Sequence, residues 1–388
     1  MQENIIPFKK QKLFKNANKV SLDTGEVELV DILIEGEKIL KTEPAGAIQS
    51  TIAEIIDLNG NYVMCPFVNA FCDSKKALEY TYGRQVNDLK VDFLKIKISA
   101  EKKNVVEQGA PLDVMLFGFM QLKNILAGTT AVGFNDMNVS NIKLFEGKID
   151  FKCIENIDKY SETELDLIVE DACKSNKKLY LKVGQSLDEL GAIDKIYRKP
   201  LSQVLEDFGF LDRKPTIVGG NCLEKDELQL LKDYDCKFVI CPSEDGKFGR
   251  RFTNIKTLQY LDFSIGIGSG YSFEIDFFAY MRQILMNMRS MFEDKNILSE
   301  KDVLKMATKN SAIKEGKEAN FIVIKKEVSL YDDIFKTLVW EKSKKDVVMT
   351  VGLGEILQKN GEILMKNLKE YDIIKMLIRE MTIKKDSF

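Results

Sequence analysis

The chain has 388 residues, 45% of them hydrophobic and 30% charged, with a formal net charge of −3. That balance excludes a disordered chain and leaves no basic footprint for a nucleic acid. Histidine is absent altogether, which excludes a histidine-held metal centre, a Ser-His-Asp triad and a Cys-His dyad.

Segments 12–14, 27–34 and 52–58 are rich in β-branched and apolar residues, with Gly25, Gly36 and Gly60 between them, so the chain opens as short strands. The run 63–69 is predicted as one strand buried on both faces. Leu112, Leu116, Phe119, Met120 and Leu126 recur at helical spacing and end at Gly128, before a strand over 130–134. Strands over 149–154, 179–184, 216–218, 238–241 and 264–267 then alternate with helices over 161–173, 201–208, 225–234, 253–261, 273–292 and 299–308. Such alternation predicts a parallel sheet long enough to close into a barrel. Seven barrel strands are legible; 142–145 is a weak eighth in a segment too short for a full βα unit. After Gly316 strands return at 321–324, 338–340 and 347–351, with a turn at Asn360-Gly361. Leu364, Leu368, Tyr371, Ile374, Ile378 and Met381 then mark a helical stripe, read as core or dimer packing because both charge signs are mixed along it.

The seven cysteines (65, 72, 153, 173, 222, 236 and 241) are scattered and never spaced Cys-x-x-Cys. That pattern fits buried thiols in a reducing compartment. No apolar run nears the length of a bilayer span, and 1–10 lacks a signal-peptide core, so a cytoplasmic protein without a membrane segment is expected.

Six segments in order carry a resemblance: VDILIEGEKILK (30–41), IIDLNGNYVMCPFVNAF (55–71), LAGTTAV (126–132), CPSEDGKFG (241–249), LSEKDVLKMATKNSA (298–312) and GKEANFIVI (316–324). Together they resemble the amidohydrolase superfamily, in its branch of cytosine, guanine and chlorotriazine-type deaminases and hydrolases. The second resembles an opening that runs into Pro-Gly-Phe-(Val/Ile)-(Asn/Asp)-Ala-His-x-His, and the fourth is similar to Cys-Pro-x-Ser-Asn-x-x-Leu-Gly. The resemblance implies an α/β fold: a distorted TIM-like (β/α) barrel plus a small β-sandwich built from both chain termini. The expected division is 1–62 with 315–360 as the composite sandwich, 63–314 as the barrel and 361–388 as an amphipathic helical tail.

Members of that superfamily hold zinc or iron at the C-terminal mouth of the barrel through a His-x-His pair, two further histidines and an aspartate. Laid on this chain, those positions fall at Phe71 and Asp73, at Lys182 with Gln185 in place of a glutamate, at Gly219 or Gly220, and at Gly270. The resemblance thus implies a fold whose inherited metal ligands are gone, with no cofactor expected. An ion pair between Lys182 and Asp73 is expected to stand where the metal's charge was. Cys72, Asp73 and Cys222 are an alternative thiolate–carboxylate metal set, set against buried thiols. Lys247, Arg250 and Arg251, in DGKFGRR (245–251), are a possible anion site, set against a solvated basic loop. Met281, Met286, Met288 and Met291 are expected in the core or a subunit contact.

The leading expectation is a non-catalytic amidohydrolase-like protein, a binding or subunit partner, homo-oligomeric or paired with an active paralogue. The alternatives are a hydrolase or deaminase of non-peptide C–N bonds in cyclic amidine or purine-like substrates, working through a rebuilt site, and a metal-free binder of a small molecule in the barrel mouth.

Overall fold

The computed structural model of the protein describes residues 11–74, 76–77, 112–134, 151–174, 178–308 and 312–364. Strands β1 (Gln11–Val20), β2 (Val27–Glu35) and β3 (Lys38–Pro44) form an antiparallel meander, and β4 (Glu54–Asp57) and β5 (Tyr62–Met64) pair with β1 in parallel. Phe14, Ile32 and Ile34 turn inward along β1 and β2. The register slips between Phe14 and Ala17, and the buried Asp31 lies opposite that slip, its oxygens accepting the backbone N–H of Asn16 (3.0 Å) and of Gly46 (2.9 Å). A buried carboxylate is thereby satisfied by backbone donors.

The predicted strand over 63–69 is two strands in two sheets. β5 ends at Met64, Pro66 withholds the N–H that a ladder needs, and β6 (Phe67–Cys72) starts the barrel. Helix α1 (Leu112–Leu126) leads to β7 (Thr129–Phe134), which pairs with β6 in parallel. Then follow β8 (Phe151–Glu155), α2 (Glu162–Lys174), β9 (Lys178–Val183), α3 (Leu187–Tyr197), α4 (Leu201–Asp207), β10 (Thr216–Gly219), α5 (Lys225–Asp233), β11 (Lys237–Ile240), α6 (Pro242–Phe248), α7 (Ile255–Tyr260) and β12 (Ile265–Ile267). β8 to β12 lie side by side in chain order, all parallel. A bridge between Cys72 and Gly270 joins this sheet to β6. Seven strands therefore make one arc, open among the described residues between β7 and β8. The segment read as a weak eighth strand, 142–145, lies outside the described residues.

Two helices go beyond the sequence reading. α3 was unmarked, yet Ser186 caps it by accepting the Glu189 N–H. α6 replaces what reads as a basic loop; Pro242 sits in its first turn and Gly249 ends it at φ 62°. Helix α8 (Phe277–Phe292) buries Phe277, Phe278, Met281, Ile284, Leu285 and Met288 against the barrel, while Met286 and Met291 are exposed. Only two of its four methionines are core. Helix α9 (Glu300–Ala307) opens with a reciprocal Ser299–Asp302 cap.

The chain then returns to the first sheet. β13 (Phe321–Ile324) pairs antiparallel with β5 and with a later strand, so both ends of the described chain share one nine-stranded sheet. The predicted strand over 338–340 is helical. Asp333 accepts the N–H groups of Phe335 and Lys336, nucleating α10 (Ile334–Lys336), and the helical turn continues over Thr337–Glu341 with Leu338 and Val339 buried. A local cap thus overrides the strand propensity of the apolar run. β14 (Val347–Gly352), β15 (Glu355–Lys359) and β16 (Glu362–Ile363) complete the sheet, with Asn360 and Gly361 at positive φ in the last turn. At the β14–β15 turn a Cβ on Gly354 would meet the Gly36 carbonyl, so only glycine permits that approach between the two ends of the chain. The stripe beyond Leu364 lies outside the described residues.

Candidate active site

The barrel interior is packed by Phe71, Tyr180, Val218, Val239 and Cys241. Lys182 lies two residues past Tyr180 on β9, so it takes the same face one step nearer the C-terminal mouth. Its side chain is 1% exposed, and its Nζ stands 2.8 Å from Glu244 Oε1, an ion pair without hydrogen-bond alignment. The Tyr271 ring centroid is 3.1 Å from Nζ and that of Phe71 5.3 Å. Two aromatic faces and one carboxylate thus replace water around the ammonium.

Glu244 is the hub. Its side chain is fully buried, Arg250 Nη1 donates to Oε1 at 2.5 Å, and the Tyr271 N–H donates to Oε2 at 3.0 Å. A Cβ built on Gly270 would fall 2.1 Å from Oε2, so the carboxylate fills the place a side chain at 270 would take. Tyr271 Oη donates to Glu155 Oε2 at 2.8 Å; burial first, then the negative Glu155, Glu244 and Asp73, push its ionisation far above the ordinary phenol value. Asp73 is buried beside this group and its Oδ1 accepts the Lys76 N–H at 2.8 Å. The thiols of Cys153 and Cys241 are pushed well up by burial, which makes both poor nucleophiles.

Asp245, next to the hub, has neither carboxylate oxygen aligned with a donor, and burial lifts its pKa from 3.8 to about 6 despite partial relief from Asn221 and Arg250. The native state therefore holds a proton that the unfolded chain releases near pH 4. Stability contributed by this residue is complete below that pH and is lost as pH rises through about 6. Asp245→Asn should raise unfolding free energy at pH 7 by on the order of 3 kcal/mol and leave it nearly unchanged at pH 4. Urea unfolding at the two pH values checks this; an equal effect at both would contradict it.

Phe71, Asp73, Lys182, Gly219, Gly220 and Gly270 are all buried, a bridge links Cys72 to Gly270, and Gln185 packs against Gly219. Lys182 pairs with Glu244, a partner the sequence does not name, because α6 turns Glu244 into the space above Gly270. Cys72, Asp73 and Cys222 do not gather: no three Cys, Asp or Glu side chains could hold a metal among the described residues. Burial also raises the Cys222 thiol. Lys247, Arg250 and Arg251 go separate ways. Arg250 is spent on Glu244 and Asp245, Lys247 donates to Ser272 Oγ at 3.4 Å, and Arg251 is exposed. Glu155, Glu244, Asp245 and Tyr271 were missed. The signal was Glu244-Asp245 standing in CPSEDGKFG where the resembled segment has Ser-Asn, two added acids facing one added cation.

No family model matches the chain. Among solved structures, the protein superposes on an adenosine deaminase from Xanthomonas campestris with bound zinc (TM-score 0.75, 12% identity, 97% of this chain and 100% of that one). It also superposes on atrazine chlorohydrolase from Arthrobacter aurescens complexed with zinc (0.70, 14%, 94% and 99%). A third match is guanine deaminase from C. acetobutylicum with bound guanine (0.69, 15%, 89% and 100%). The chain thus shares the fold of these amidohydrolases and deaminases, and its sequence is similar to deaminases. In sequence it is 22% identical over 404 residues to the 5-methylthioadenosine/S-adenosylhomocysteine deaminase of Thermococcus onnurineus, covering 90% of this chain and 95% of that protein. It is 26% identical over 220 residues to the enzyme of the same name from Bacillus cytotoxicus, where the match spans half of each chain (52% and 50%).

These relatives correct two expectations. A non-catalytic protein is overturned by deaminases matching along nearly the whole chain. The absence of a cofactor is overturned by the zinc in the structural neighbours. The described mouth residues nevertheless do not fit a zinc ion: the Lys182 ammonium lies 2.8 Å from the carboxylate nearest the old ligand position, and no three ligands converge. No helix among the described residues is long and apolar enough to cross a membrane.

Proposed function

We propose that the protein is a hydrolytic deaminase of a purine-like nucleoside, working through a rebuilt polar site at the barrel mouth. The observation that carries this reading is the match to named deaminases over about nine tenths of both chains. The buried Lys182, Glu244 and Asp73, with the half-buried Tyr271 and Glu155, support it with both proton donors and acceptors.

In the proposed reaction, the oxygen of water bonds to the ring carbon that bears the amino group. The exocyclic C–N bond breaks and nitrogen leaves as ammonia. Glu244 takes the proton of the attacking water, and Lys182 gives one to the departing nitrogen. Because the two groups lie 2.8 Å apart, one proton passing from Glu244 to Lys182 resets them. Burial strengthens each of these charge interactions relative to water.

Incubation with 5′-methylthioadenosine, S-adenosylhomocysteine, 5′-deoxyadenosine, adenosine and guanine should release ammonia from at least one. Lys182→Met should lower kcat on that substrate by roughly 100-fold or more. Ammonia from none of the five, or full turnover by Lys182→Met, would overturn the proposal.

A further inference from the structure

Away from the mouth, a cavity of about 520 Å³ opens between the end of α1, the residue before the α8 cap and the start of β14. Its walls are Leu126, Ile275 and Val347, and Lys123, Lys344 and Lys345 reach into it. An apolar chamber with three ammonium groups at its edge is an electrostatically unbalanced arrangement. Glu274 is shared by Lys123 (3.5 Å) and Lys344. The other nearby acid, Asp276, spends its carboxylate on the backbone N–H groups of Ala279 and Lys344. Lys123 also donates to the Phe273 carbonyl at 2.8 Å and lies over the Phe273 ring at 4.3 Å, so it is held in place rather than free to swing into solvent.

The lysines act on one another. Burial and then Lys247 lower Lys123 to about 8, and burial followed by Lys123 and Lys345 lowers Lys344 as well. An anion seated among them would relieve that repulsion, while the aliphatic walls would cover an apolar body. We infer that this cavity is a second binding site, separate from the barrel mouth, for a small amphiphilic anion with a carboxylate or phosphate head and a short apolar tail. A solvated lysine patch would bind an anionic head without regard to its tail; the apolar walls make the tail matter.

Lys123 is faced by Glu274, Lys344, Lys247, the Phe273 carbonyl and the rings of Phe273 and Phe119, and burial followed by Lys247 sets its titration. A bound anion favours the charged lysine, so binding should weaken as pH rises through about 8.

The test is isothermal titration of the full chain with octanoate, octyl phosphate, inorganic phosphate and octylammonium at pH 7 and pH 9. Octanoate or octyl phosphate should bind saturably at one site, and which of the two binds tighter identifies the head group. Affinity should fall at least fivefold between pH 7 and pH 9, and Lys123→Met and Lys344→Met should each weaken it about tenfold. Thermal melts establish that both variants fold. Equal binding of octylammonium, binding of inorganic phosphate as tight as that of octyl phosphate, no saturable binding, or unchanged binding in both folded variants would overturn the inference. None of these outcomes depends on catalytic activity.

Discussion

Glu244→Ala should cost about 3–5 kcal/mol of unfolding free energy, the range for removing one partner of a buried ion pair. The carboxylate is fully buried and serves Lys182, Arg250 and the Tyr271 N–H at once. Its loss takes from the Lys182 ammonium, 1% exposed, the carboxylate 2.8 Å away and leaves the Tyr271 and Phe71 rings against it. Arg250 keeps a weak alternative in Asp245 at 3.8 Å, so most of the cost falls on Lys182. Adding Lys182→Met to Glu244→Ala should therefore recover a large part of the loss, giving a coupling energy of about 1–3 kcal/mol in a double-mutant cycle by urea denaturation. Additive losses would mean that the pair is not one unit.

Gly270→Ala should be almost as damaging, for a different reason. The new Cβ would lie 2.1 Å from Glu244 Oε2, 3.0 Å from Cys241 Cβ and 3.1 Å from Glu244 Cβ, and the backbone is at φ +57°. A flexible carboxylate could step aside on a surface; this one is pinned by two cations and a backbone N–H. Overpacking of about 1–3 kcal/mol adds to about 1 kcal/mol or more for a left-handed alanine. In the Glu244→Ala background the nearest clash disappears, so Gly270→Ala should cost less there than in the wild type. Equal cost in both backgrounds would show that the carboxylate does not occupy the space over Gly270.

The strands and helices of the barrel were legible because each carries a periodic apolar face, as in KLYLKV of β9 and the inward stripe of α8. Errors came where one residue overrides a pattern: Pro66 splitting an apolar run between two sheets, and Asp333 capping a helix into LVW. At the site, Asp73, Lys182 and Gly270 were placed by laying the ligand pattern of the resembled superfamily on the chain. The partner of Lys182 was not, because it depends on how far α6 swings Glu244 over a glycine on another strand. The absence of histidine led the reading from lost ligands to lost catalysis, a step the deaminase relatives do not support.

Hydrolysis in water enriched with oxygen-18 tests the central claim most directly. With 5′-methylthioadenosine or 5′-deoxyadenosine as substrate, and with zinc both added and omitted, the account predicts one labelled oxygen on the purine ring per ammonia released. Recovery of the nucleoside unlabelled and unchanged under both conditions, from protein that melts as a folded chain, would contradict it.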